Sequence, residues 1–151
     1  MANLGVIAGI IFLAVELQQN NQLLRAEAIG TVLATRLARQ DLTLQGVDVS
    51  ALQERNLTSD ILSPEDLRRI RALRSRGLIG WQRDYFLFQE GILTEEHFRA
   101  NFPVMKNSIT GDEGAYSGRD HWEFWRARGA SPTYRTFIEQ CIISDCETIP
   151  R

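Results

Sequence analysis

Two cysteines, two histidines and a single lysine are few for a chain of 151 residues, and each scarcity excludes something. A disulfide-stapled secreted domain of this size would carry more than Cys141 and Cys146, so both read as reduced thiols, as a cytoplasm would keep them. Five residues apart in a predicted helix, they point to different faces and make a poor intrahelical bridge. His97 and His121 lack the glutamate three residues earlier that a bundle metal site would use; Thr94 and Gly118 stand there instead. HExxH and CxxC are both missing, so neither zinc pattern is present. Both histidines read as polar helix surface, and no metal or other cofactor is expected.

Catalytic and phosphate-binding motifs are missing as well. GxxxxGK[ST], GxGxxG and GxSxG do not occur, and the glycines between 111 and 118 have no strand before them. Nothing favours an enzyme. A net charge of −2, with Lys106 the only lysine among 17 basic residues, gives no reason to expect nucleic acid as a partner. No segment alternates apolar and polar over the length of a strand. The fold class is therefore all-α: a long N-terminal helix, apolar at its head and amphipathic in its tail, packed with a small bundle of about four further helices.

The sequence is richest at its start. Residues 4–15 read LGVIAGIIFLAV without a charge, and as a helix they are apolar on every face, which suits lipid or full enclosure but not a water-exposed surface. At about 12 residues the run is shorter than the roughly 17 to 25 that usually span a bilayer. Counting from Ala2 to Leu17 lengthens it to about 25 Å, which a slightly thinned bilayer accepts. Glu16 and the amides Gln18, Gln19, Asn20, Asn21 and Gln22 end it abruptly. Met1-Ala2-Asn3 carries no basic side chain and no small-x-small site follows, so a secretory signal peptide is set aside. Arg25, Arg36 and Arg39 come after the run, which orients the larger part of the chain toward the cytoplasm. Gly5 and Gly9 form a GxxxG spacing, a candidate helix–helix contact between two copies.

Two segments result: residues 1–17, an apolar membrane-anchor or core helix, and residues 18–151, an all-α helical domain. In the tail of the first helix Leu23, Ala26, Ile29, Leu33 and Leu37 form one apolar stripe. A short helix is expected over residues 50–55 and a loop over 56–60. Ser63-Pro64-Glu65-Asp66 is a strong helix start. The helix it opens carries Leu67, Ile70, Leu78, Trp81, Tyr85 and Phe88 on one face, with Arg74 in the middle of that stripe. A buried unpaired guanidinium is too costly, so Arg74 either snorkels or enters a buried ion pair. Gly77 and Gly80 suggest a close helix approach or a kink. Helices starting at Thr94, Asp120 and Ser131 follow, with a bend or stop at Phe102-Pro103 and an irregular stretch over 107–118. The five arginines of 68–76 are weighed as lipid-headgroup ligands and read instead as a solvated face.

Three stretches carry a resemblance that covers most of the chain: GIIFLAVELQQN at 9–20 with Leu24-Arg25-Ala26, WQRDYFLFQEGIL at 81–93, and His121-Trp122-Glu123-Phe124-Trp125 before Ser131-Pro132. In these the chain resembles a group of small bacterial proteins of uncharacterised function, built from an N-terminal membrane helix and an all-α domain. The resemblance implies a membrane anchor; with the orientation that the arginines give, the expected location is the bacterial inner membrane, single-pass, with the C-terminal domain in the cytoplasm, the alternative being a soluble cytoplasmic protein. It also implies that related chains often have further residues before the apolar run, so the anchor need not begin at Met1, which would explain the short length of the run here. It brings no catalytic residues. Membrane lipid is then one expected partner, and a protein partner or a second copy another. The leading expectation is a membrane-anchored protein whose cytoplasmic domain binds a partner or helps assemble a complex. The alternative is a soluble helical domain that uses the opening helix as core or dimer interface and binds an apolar ligand.

Overall fold

The computed structural model describes residues 2–59 and 61–149, with side chains from residue 5 onward; Met1, Asp60 and the Leu4 side chain, used above, lie outside the described residues. Every regular element among them is helical, as the missing alternation requires. Helix α1 runs over Ala2–Leu44 without a proline to interrupt its hydrogen bonds. Its two halves behave differently. Residues 5–21 are exposed throughout, and among the described residues Val6, Ile7, Ile10, Ile11, Phe12 and Leu13 belong to neither hydrophobic core. The tail packs antiparallel on α3, Pro64–Gln89, burying Leu33 and half-burying Ile29 and Leu37. Leu23, which the periodicity places in the same stripe, is exposed, because α3 has ended before α1 reaches it.

A transmembrane helix was expected of the head, and the structure does not support one. Among the described residues no helix is long and apolar enough to cross a membrane. The uncharged run from Gly5 to Val15 is about 16 Å long, roughly half of a hydrocarbon core of about 30 Å. Glu16 and the amides follow at once.

Helix α3 forms for the reasons read in its sequence. Ser63 accepts a hydrogen bond from the Asp66 N–H at 3.0 Å, Pro64 occupies the first turn, and Glu65 and Asp66 meet the positive end of the helix. Its buried face includes Ile70, Leu78, Tyr85 and Phe88. Gly91, at φ 73°, provides the left-handed turn that ends it. Helix α2, Val49–Thr58, is capped by Asp48 and runs past the expected loop start at Asn56. Helix α4, Glu95–Arg99, and α5, Phe102–Thr110, divide where a stop was expected. Pro103 lies in the first turn of α5, where its missing N–H has no partner to lose, so it opens a helix and shortens the irregular stretch to 111–117. Helix α6, Gly118–Arg126, starts with a reciprocal cap between Ser117 and Asp120. Helix α7, Pro132–Phe137, continues into a π-helical turn over Ile138–Ile143. Among the described residues, six α-helices and this turn therefore follow α1, where about four were expected.

The main core is aromatic. Tyr85 stacks on Phe137 at 4.8 Å, Phe88 on Phe98 at 5.0 Å, and Trp125 meets Tyr134 edge-on at 6.0 Å. A smaller cluster of Leu52, Ile70 and Tyr116 joins α2 and α3 to the 111–117 loop.

The cysteines also depart from expectation. Cys141 and Cys146 form a disulfide, with their Cα atoms 4.3 Å apart. Five residues subtend about 140° on a regular α-helix, which is why the pairing was set aside. The π-helical turn bonds residue i to i+5 and so brings that spacing toward one face. Asp145, at φ 55°, then folds Cys146 back over Cys141.

Candidate functional site

A buried polar cluster lies where α2, α3, α6 and the 111–117 loop meet. Helix α3 supplies Arg71, Arg74 and Ser75, three and four residues apart and hence on one side. Asn56 at the end of α2 holds the loop: its Oδ1 accepts the Tyr116 N–H at 3.0 Å and its carbonyl accepts the Ala115 N–H at 2.8 Å. Gly114 makes this clamp possible. It sits at φ 89°, and a Cβ there would lie 2.4 Å from Asn56 Nδ2.

His121 is the centre of the cluster. Its Nε2 lies 3.2 Å from Ser75 Oγ and its Nδ1 3.2 Å from the Tyr116 hydroxyl, so a neutral ring has a partner at each nitrogen. Burial pushes its pKa down to about 3, and the nearby charges of Arg74 and Arg71 push in the same direction. Burial likewise raises the Tyr116 phenol. Arg71 lies 5.2 Å from the Tyr116 ring centre and 4.8 Å from that of Phe124, a cation between two aromatic rings. The Ser75–His121 pair has the elements of a nucleophile and its base. Yet Ser75 is buried in the middle of a helix, and a ring with a pKa near 3 accepts protons poorly at neutral pH. The cluster is built to hold the loop and the arginines in place.

Arg74 neither snorkels nor forms an ion pair among the described residues. Its Nη2 donates to the Tyr116 carbonyl at 3.1 Å, while Asp120 acts on it only through space. Burial lowers its pKa. Beside it lies a cavity of about 340 Å³ between α2, α3, α5 and α6. Ile70, Leu78 and Trp81 form an apolar wall, and Asn56, Arg74 and His121 a polar one.

The other sequence candidates lie elsewhere. A Cβ added to Gly5 or Gly9 would meet nothing within 4 Å among the described residues. His97 is on the surface as expected, with Nδ1 2.7 Å from Thr94 Oγ1. His121 is not: it is 2 % exposed. The signal was present, because Gly118, His121, Trp122 and Trp125 recur at helical spacing and are all buried. Ser75, Asn56 and Tyr116 had no comparable signal. Three of the five arginines of 68–76 form ion pairs within the chain: Arg68 and Arg69 both pair with Glu65, at 2.8 and 3.0 Å, and Arg76 with Asp41 at 3.3 Å. Among the described residues no group of three or more His, Cys, Asp or Glu could hold a metal ion.

Comparison with known proteins gives no match: no family model fits the chain, and no curated sequence or solved structure matches it.

Proposed function

We propose that this protein attaches to a membrane through the head of α1 and uses its helical domain to bind a protein partner or to help assemble a complex. The observation that carries the reading is the exposure of apolar side chains around the whole circumference of that head. Ile10, Ile11, Phe12 and Leu13 are four consecutive residues, about 100° apart, and each is more than half exposed. A helix that docks in a protein groove keeps one face polar, whereas lipid accepts apolar side chains on every side. The amides that follow suit a headgroup boundary. Resemblance to small bacterial proteins with an N-terminal membrane helix supports the same reading.

Arg25, Arg36 and Arg39 support a cytoplasmic domain on the bacterial inner membrane. The disulfide favours a second reading, with the domain on the oxidising side. The lipid-headgroup role of the α3 arginines has less support, since Asp41, the partner of Arg76, is about 36 Å along α1 from Leu17.

The test is fractionation of the full-length protein in a bacterial host with a carbonate wash, beside an Ile10→Asp/Phe12→Asp variant. Retention of the wild type in the washed pellet and release of the variant are expected. Release of the wild type would overturn the membrane reading and favour α1 as an interface between copies. Blocking thiols in intact cells before lysis then reports the side: two alkylated cysteines support the cytoplasm, none the oxidising side.

A further inference from the structure

Two features of the cavity beside Arg74 are not accounted for by packing. The first is the guanidinium. It is half-buried, and an unpaired charge withdrawn from water is costly. Among the described residues no carboxylate forms an ion pair with it, and Asp120, the acid that acts on it, directs Oδ2 to the Ser117 N–H and hydroxyl at 2.9 and 2.8 Å. Of the five N–H donors of an arginine, the Tyr116 carbonyl takes one. Arg74 lines this cavity, and the adjoining one that Asp112 and Glu113 line, with donors left over from the Tyr116 carbonyl.

The second feature is Gly77. Glycine inside a helix costs about 1 kcal/mol relative to alanine, and close packing does not require it here. A Cβ at Gly77 would meet only the Trp81 ring, at an ordinary 3.8 Å. What the missing side chain leaves is open space on the apolar wall, beside Trp81. Elsewhere the wall is tight: a Cβ at Gly118 would lie 2.2 Å from the Ser108 carbonyl oxygen, so α5 and α6 fix the cavity's shape.

We propose that this cavity binds a small organic monocarboxylate, its carboxylate on Arg74 and its apolar body against Trp81 in the space left by Gly77. The volume of about 340 Å³ is at the small end of ligand pockets, which run from about 300 to 1,000 Å³. A single arginine fork matches a carboxylate with two parallel hydrogen bonds. The proximity of Asp120 disfavours a dianion such as phosphate. The site is independent of how α1 is attached.

Benzoate and its neutral counterpart benzyl alcohol test the proposal by calorimetric titration of the full-length chain. Benzoate should bind about tenfold more tightly than the alcohol, the effect of hydrogen bonds to a charged group. Arg74→Gln should erase that preference. Gly77→Leu should abolish binding of both probes, with an unchanged helical circular-dichroism spectrum. If Arg74→Gln does not fold, the comparison of probes and Gly77→Leu still decide, since both keep Arg74. No saturable binding of benzoate, equal affinity for the two probes, or benzoate binding that survives Gly77→Leu would each overturn the proposal.

Discussion

His121 Nε2 lies 3.2 Å from the hydroxyl of Ser75, a residue 46 positions earlier on another helix. This contact and its partner at Tyr116 fix an imidazole that must stay neutral, because its pKa is held near 3. A folded-state pKa below the ordinary 6.5 has a defined consequence for stability. Above about pH 6.5 neither state binds the proton, and stability is complete. Below it the unfolded chain takes up a proton that the folded chain refuses until about pH 3, so stability falls by up to about 1.4 kcal/mol per pH unit. Between pH 7 and 5 the carboxylates remain largely ionised in both states. Urea midpoints across that range should therefore decline for the wild type and stay flat for His121→Gln. Equal slopes would remove His121 as the cause.

Tyr134 is fully buried, and its hydroxyl has no hydrogen-bond partner among the described residues. Burying a hydroxyl without a partner is unfavourable by about 1 to 3 kcal/mol. Tyr134→Phe should leave stability unchanged or raise it by about 1 kcal/mol, read from the guanidinium midpoint. A clear loss would reveal a partner for the hydroxyl.

The Cys141–Cys146 bridge closes a very short loop. On a chain-entropy basis such a loop contributes about 2 kcal/mol, at the low end for disulfides. Cys146→Ser should lower the guanidinium midpoint by that amount, and reductant should do the same to the wild type. Identical midpoints with and without reductant would mean that the bridge does not stabilise the fold.

Gly5 and Gly9 have open space around them within the chain. Replacing both with leucine should leave the stability of the domain unchanged and weaken self-association of α1, measured by analytical ultracentrifugation in detergent. Unchanged association would show that the glycines do not form the contact between copies.

Much of the fold was legible because it depends on neighbours in sequence. The start of α3 at Ser63-Pro64, its end at Gly91, the caps at Thr94 and Ser131 and the apolar stripe from Ile29 to Leu37 follow from local hydrogen bonding and a period of 3.6 residues. The stop near Phe102-Pro103 was legible, but not the helix that Pro103 opens, because a proline suits a first helical turn as well as a loop and only packing on the rest of the domain selects between them. The cysteine pair was misread because a π-helical turn changes the angular spacing on which the argument rested.

The sequence by itself determined that the chain is helical, that α1 is apolar at its head, and that Arg74 interrupts an apolar face. Only the tertiary structure decided that nothing among the described residues covers that head and that Arg74 meets a backbone carbonyl and lines a cavity. Tertiary packing likewise brought Ser75, Tyr116 and His121 together. Helix formation is settled by hydrogen bonds four residues apart. Burial and the partners of polar groups are settled by segments far apart in the chain, and no local pattern encodes which of them will meet.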